Sequence, residues 1–122
     1  MAVVLVLDVK TDQLRMAECE ELDDFYRELE AEPLDIARRK IGGRMYDIFV
    51  DDEGLFRENP VISAIDKEGN PMLVGNLVFA NHDAEGNTTS LTMEDVARIV
   101  GNMVRVSTEA RPVGYTAVLC EY

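Results

Sequence analysis

The side chains best suited to acid–base or metal chemistry lie in two polar stretches, Asp51-Asp52-Glu53 and His82-Asp83. His82 is the only histidine, so a nucleophilic Ser/His/Asp or Cys/His arrangement could use no other base, and a histidine-rich metal site is excluded. A metal-assisted hydrolase would need both stretches to meet in space, although they lie far apart in the sequence. We keep that hydrolase as a third alternative.

Two acidic loops, residues 51–54 and 83–87, resemble cation-binding loops only superficially. Hard cations need several oxygen ligands brought together by a tight glycine turn, and both loops have acids followed by a glycine. Neither loop has acids at alternate positions with glycine sixth and glutamate twelfth. We therefore predict no metal site, no cofactor and no catalytic residue, and expect that the protein is not an enzyme.

The net charge of −12, from 24 acidic and 12 basic residues, is concentrated in two segments. Residues 18–35 hold nine acids against one base and residues 47–58 hold five against one, so the remainder is neutral. A field of this sign repels phosphate backbones and anionic lipids, which argues against direct binding to nucleic acid or membranes. Acidity for solubility alone is the alternative.

Carboxylates in these segments are the predicted contact residues for a protein partner with a basic surface. A dense carboxylate array can imitate phosphate spacing and gives rapid, salt-sensitive association. Between the segments lies a basic island, residues 38–44, which we expect to pair internally with the acids. The predicted contact residues are Glu20, Glu21, Asp23, Asp24, Glu28, Asp47, Asp51, Asp52 and Glu53, and the island consists of Arg38, Arg39, Lys40 and Arg44.

Hydrophobic patterning predicts several short strands. Residues 2–9 are β-branched and apolar, which is typical of a central strand covered on both faces, and residues 14–18 could pair with it. The glycines at 42 and 43 favour a hairpin between residues 34–41 and 44–50. Further strands are predicted at residues 61–65, 72–80 and 115–120, and Gly75 interrupts the second of these at a bulge or close backbone approach.

Two amphipathic helices are predicted. Over residues 20–31, Leu22, Phe25, Tyr26 and Leu29 form an apolar stripe among acids. The second helix begins after an N-cap at Thr92, with Asp95 at the N3 position. Its stripe consists of Met93, Val96, Ala97, Val100, Met103 and Val104.

The sequence thus favours a single α+β domain over residues 1–122, with an antiparallel or mixed sheet of about five to seven strands and both helices on one face. Cys19 and Cys120 are expected to be reduced packing residues. No apolar run approaches the length of a membrane span, so a soluble cytoplasmic protein is expected.

Several short blocks resemble the domain of unknown function 3846 family: YDIFVDDEGLF at 46–56, ENP at 58–60, PMLVGNLVF at 71–79, NHD at 81–83 and SLT at 90–92. The resemblance spans roughly residues 34–106 and leaves the acidic first helix outside. The family has no established reaction, so it implies no catalytic residues. It implies small proteins of phages, plasmids and other bacterial mobile elements.

In such a setting, small acidic proteins can block host defence by occupying the basic nucleic-acid channel of a CRISPR or restriction enzyme. We therefore expect an anti-CRISPR or anti-restriction inhibitor that mimics DNA. The alternative is an accessory or dimerisation domain of a mobile element, a homodimer through its sheet, with acidity for solubility only.

Val100→Asp is expected to unfold the protein or make it insoluble, because it would place a charge on the apolar stripe of the second helix. Thermal melting measures the effect. An unchanged midpoint would show that this stripe is exposed.

Overall fold

The structure is a computed structural model, and it describes residues 2–31, 33–56, 60–109 and 112–122. Of Leu55 it describes the backbone alone. Within these ranges the chain forms two sheets, two α-helices and one short 3-10 helix at Gly54–Phe56. The elements are β1 (Ala2–Asp8), β2 (Gln13–Cys19), α1 (Leu22–Leu29), β3 (Leu34–Ile41), β4 (Arg44–Asp51), β5 (Ile62–Ile65), β6 (Pro71–Val74), β7 (Leu77–His82), β8 (Thr88–Thr89), α2 (Met93–Gly101), β9 (Met103–Val106) and β10 (Tyr115–Leu119).

The main sheet is antiparallel, with strand order β2-β1-β7-β4-β3 and β8 added to β7. A second sheet has the order β6-β5-β10-β9, and β5 and β10 run parallel in it. The α+β class is confirmed. The strands divide between two sheets because the predicted strand at 72–80 is really two, β6 and β7, separated at Gly75.

Gly75 marks the passage of the chain from the second sheet to the main sheet. Its φ of +79° lies in the left-handed region that glycine adopts without steric cost. Its N–H donates to the Val61 carbonyl at 2.8 Å, which holds the turn against the start of β5. The glycine signal therefore marked a change of sheet rather than a bulge within one strand.

Both predicted hairpins are confirmed. β1 and β2 pair along their full length, from Ala2 opposite Cys19 to Asp8 opposite Gln13. β3 and β4 pair from Leu34 opposite Asp51 to Ile41 opposite Arg44, through the two-glycine turn. A side chain at the first of these glycines would clash, because a Cβ there would lie 2.7 Å from the Arg98 Cγ.

The helices lie on opposite faces of the main sheet, so the expectation that both cover one face is wrong. On one face, Phe25 and Leu29 of α1 pack against residues of β1, β4 and β7 that include Phe49. On the other face, Ile99 of α2 joins a larger core that the second sheet also contributes to, through residues such as Val118. The strand alternation sends neighbouring side chains of each central strand into different layers.

The predicted stripe of the second helix is wrong in part, although Val96 does pack against the larger core. α2 ends at Gly101, so Met103 and Val104 belong to β9. Met93 is 83% exposed and Val100 is 42% exposed, whereas Asp95 and Ile99 are fully buried. In α1, Leu22 is likewise 53% exposed although it was predicted to face the core.

Ile99→Asp, rather than Val100→Asp, is therefore expected to unfold the protein. A charge at the buried Ile99 position has no partner and should cost about 3–5 kcal/mol, whereas Asp at position 100 should cost about 1 kcal/mol or less. Thermal melting of the two variants in parallel compares adjacent positions with the same introduced side chain. Equal midpoints would contradict the packing of α2.

Candidate interaction surface

The acidic start of α1 is organised by Asp24. Its Oδ2 accepts the backbone N–H of Glu20, just before the helix, at 2.7 Å and that of the N-cap residue Glu21 at 3.0 Å. The N–H of Glu21 is one of the donors that a helix N-terminus would otherwise leave unsatisfied. These backbone bonds, helped by the Arg27 guanidinium, hold the pKa of Asp24 below its usual value. Asp24 thus fixes the direction in which the chain enters the helix.

Asp24 and Glu28 are committed to ion pairs inside the molecule. The Asp24 Oδ1 lies 2.9 Å from the Arg27 Nη1. Glu28 pairs with Arg15 on β2 at 3.0 Å and with Arg27 at 3.4 Å, and only 13% of its side chain is exposed. Glu28 therefore helps to attach α1 to the sheet, whereas the ion pair of Asp24 lies within the helix.

Asp47 is also unsuited to the predicted role. Its side chain is 6% exposed and its Oδ1 lies 3.0 Å from the Arg38 Nε and 3.2 Å from the His82 Nδ1. Arg38 stands directly opposite Asp47 in the β3–β4 ladder, so the pairing follows from the hairpin register. A partner could reach this carboxylate only by displacing its neighbours.

The predicted pairing of the basic island with the acidic segments is confirmed for Arg38 among the described residues, whereas Lys40 and Arg44 pair with acids elsewhere in the fold. Arg38 pairs with Asp47, Lys40 lies 3.8 Å from the Glu121 carboxylate and Arg44 lies 3.6 Å from that of Asp95. Two of these partners lie outside the two acidic segments.

The predicted residues Asp51, Asp52 and Glu53 lie near the C-terminal end of α1. The Asp52 N–H donates to the Pro33 carbonyl at 3.1 Å, which joins the end of β4 to the chain that follows α1. Asp52 and Glu53 are exposed and Asp51 is half-buried, facing a cavity of about 280 Å³ that Glu30 also lines. The second acidic segment thus meets the first one near the C-terminal end of α1.

Three of the predicted contact carboxylates remain exposed at the start of α1. Glu20, Glu21 and Asp23 form no ion pair with any described residue, and they surround the exposed Leu22. These four residues are here called the α1 patch, and three of them, Glu20, Glu21 and Leu22, border a cavity of about 340 Å³ that Phe25 and Phe49 also line. The buried Cys19 lies beside this cavity, and burial, with help from nearby carboxylates, raises its pKa to about 11, as expected of an unreactive packing thiol.

The loop at residues 83–87 is a self-contained turn. Asp83 Oδ1 accepts the backbone N–H groups of Glu85 and Asn87, each at 2.9 Å, and its Oδ2 accepts from the Asn87 side chain at 3.2 Å. The same bonds form around Asp66 in the loop at 66–70, which repeats the pattern Asp-x-Glu-Gly-Asn. This repeat was visible in the sequence and explains the acids as turn residues.

The stretches proposed for a metal-assisted hydrolase lie apart. In the β4–β7 ladder Asp47 is opposite Ala80 and Phe49 is opposite Val78, so Asp51 and His82 extend from opposite ends of the paired region. Across the described ranges of the chain, no group of three or more His, Cys, Asp or Glu side chains is arranged to hold a metal ion. The structure contradicts the convergence that this alternative required.

A buried carboxylate that the sequence indicated only as a helix-cap residue is Asp95. It is fully buried and accepts hydrogen bonds from the Tyr46 hydroxyl at 2.8 Å, the Asn81 side chain at 2.7 Å and the Thr92 N–H and hydroxyl at 2.9 Å each. Burial alone would raise the pKa of Asp95, but these donors outweigh it and hold that pKa well below its usual 3.8. Arg98 donates to Tyr46 at 2.7 Å and extends the network to the surface.

Asp95→Asn is expected to lower stability at neutral pH by about 2–4 kcal/mol, because the amide replaces an acceptor with a donor that faces Asn81. Since the folded pKa is depressed, the contribution of the carboxylate is present above about pH 4 and is lost as the pH falls below it. The stability difference between wild type and variant should therefore shrink below pH 4 in denaturant titrations. Asp52→Asn, at an exposed position, is the control and should show no such convergence.

Comparison with known proteins gives one positive result. A search of curated proteins and a search of solved structures each found no match to this chain. None of the described helices is both long enough and apolar enough to cross a membrane. The sequence profile described as Domain of unknown function (DUF3846) matches residues 1–104. The resemblance is therefore confirmed. It also covers α1, which was expected to lie outside it. The chain belongs to the domain of unknown function 3846 family.

Proposed function

We propose that this protein is a non-enzymatic binding protein whose α1 patch docks on a basic protein surface. We further propose that the partner is a host enzyme of bacterial defence, a CRISPR or restriction effector, whose nucleic-acid channel the patch occupies in a mobile-element setting. One observation carries the proposal: Glu20, Glu21 and Asp23 are exposed and without an ion pair in the described structure, around an exposed Leu22.

The distribution of cations within the fold supports this choice of surface. Asp24, Glu28 and Glu30 each have an internal partner, in Arg27, Arg15 and Lys10 respectively. The carboxylates of the α1 patch do not share these cations. The positive end of the helix macrodipole favours negative charge at this position even without a paired cation. A binding partner can therefore supply Lys or Arg groups without first breaking an internal ion pair.

The patch is also held in a fixed position, which lowers the entropy cost of binding. Asp24 bonds the backbone of Glu20 and Glu21, two residues of the patch. Phe25 stacks on Phe49 with ring centroids 4.1 Å apart. A rigid backbone that carries charges around one apolar side chain resembles the arrangement of interface hot spots, in which a central anchor lies within a polar rim. Leu22 would be that anchor.

The test compares two variants that each remove three negative charges. Glu20→Gln, Glu21→Gln and Asp23→Asn together alter the patch, whereas Glu68→Gln, Glu85→Gln and Glu94→Gln alter exposed acids elsewhere. Each protein is used to capture partners from host lysate at about 50 and 300 mM salt, a range over which screening strengthens. Binding constants are then measured with the purified partner and with its DNA as competitor.

We expect the patch variant to bind at least about tenfold more weakly, which is about 1.4 kcal/mol, while the control variant binds like wild type and both melt within a few degrees of it. Wild type should compete with DNA for the partner. Equal binding by wild type and patch variant, or loss by both variants alike, would mean that the acids serve solubility only.

A further inference from the structure

The outer edge of β3 carries backbone groups that no other strand pairs. β3 is the last strand of the main sheet, and β4 occupies its inner side. At Lys40 the outer groups are bonded, because its N–H donates to the Tyr122 carbonyl at 2.8 Å and its carbonyl accepts the Glu121 N–H at 2.7 Å. Since the direction of these groups alternates along an antiparallel strand, the backbone groups of Ile36 and Arg38 also point outward.

Two side chains of the same strand bond two of those four outward groups. The Asp35 carboxylate accepts the Ile36 N–H at 2.8 Å, and the Arg39 guanidinium donates to the Arg38 carbonyl at 2.9 Å. Both bonds agree with the direction inferred from Lys40. At Ile36 and Arg38, unlike at Lys40, these bonds come from side chains that could move away and not from another length of backbone.

Asp35 and Arg39 have opposite charges, and neither forms an ion pair with any residue that the structure describes. The Arg39 Nε is buried without a hydrogen-bond acceptor. Their neighbours Arg38 and Lys40 differ, because each has a carboxylate partner within the fold. Asp35 and Arg39 lie four residues apart, on the face of β3 from which Ile41 enters the core.

We infer that the β3 edge is an interface between two copies of this chain, paired antiparallel about a two-fold axis at Ala37. In this register Asp35 stands opposite the partner's Arg39, and Ile36 exchanges two backbone hydrogen bonds with the partner's Arg38. The symmetry repeats each contact. The buried Arg39 Nε gains a carboxylate, and the outward groups of Ile36 and Arg38 gain backbone partners.

Three features select a second copy as the occupant of this edge. The strand is acidic at Asp35 and basic at Arg39, so antiparallel self-pairing brings opposite charges together twice. Ala37 is small enough for the axis, where directly opposed residues without mutual hydrogen bonds approach to about 4.5 Å between Cα atoms. The C-terminal residues bonded at Lys40 end the ladder there, which confines pairing to residues 35–39. This surface is distinct from the α1 patch, and the inference does not depend on the proposed function.

Charge reversal tests the interface. Sedimentation equilibrium over about 10 μM to 1 mM should show a weak monomer–dimer equilibrium for wild type, as expected of a narrow interface. Asp35→Lys and Arg39→Glu should each raise the dimer Kd about tenfold or more, and the double variant should restore it to within about threefold, because the charges are only exchanged. The matched controls Glu68→Lys and Lys67→Glu make the same charge changes in an exposed loop and should leave the Kd unaltered.

Cross-linking tests the register. Ala37→Cys should give a disulfide-linked dimer under mild oxidation, because the opposed Cα separation lies in the range that disulfides span, whereas Ile36→Cys should not. The native thiols, Cys19 and Cys120, are buried. A wild type that stays monomeric throughout, single reversals that match their controls, or cross-linking at position 36 instead of 37 would each overturn the inference.

Discussion

The arrangement of the layers depends on the hydrogen bonds that the buried Asp95 carboxylate accepts. The carboxylate is fully buried, so its negative charge would be very costly to bury without hydrogen-bond donors. Its donors come from three different parts of the chain: Tyr46 on β4, Asn81 on β7 and Thr92 before α2. The negative charge thereby joins the start of α2 to the middle of the main sheet. Because α2 leads directly into β9, this attachment also restrains the position of β9, the edge strand of the second sheet.

Because Tyr46 contacts Asp95 on one face of the main sheet, the faces toward which the following side chains of β4 point are also determined. Tyr46, Ile48 and Val50 enter the larger core, so by alternation Asp47 and Phe49 face the α1 layer. Phe49 then gives Phe25 its stacking surface, while Asp47 takes up Arg38 and His82. The exposure of the α1 patch follows from this packing. Phe25 and Leu29 form the side of α1 that packs on the sheet, and the start of this short helix therefore remains in solvent.

The elements that the sequence predicted well are those whose signals are local. Gly42-Gly43 with alternating strands defines one hairpin, and Thr92 with Asp95 defines the cap of α2. Periodicity failed where apolar residues continued past a helix end, so that Met103 of β9 was counted with α2 and Val100 was preferred to Ile99. The ion pair of Glu28 with Arg15 and the contact of Asp47 with His82 could not be predicted, because they require the positions of separate elements.

The two proposed surfaces have a geometric consequence when they act together. In a dimer through β3, directly opposed side chains such as those of Ala37 point to the same face, so the two-fold axis is perpendicular to the continuous sheet. The two α1 helices would then lie on one face of that sheet, since α1 packs on the same side of both copies. Two acidic patches on one face could bind a partner with two basic regions far more tightly than either alone, because the second contact becomes intramolecular. A weak dimer can thus be effective, since the partner would itself stabilise the pair of copies that it binds.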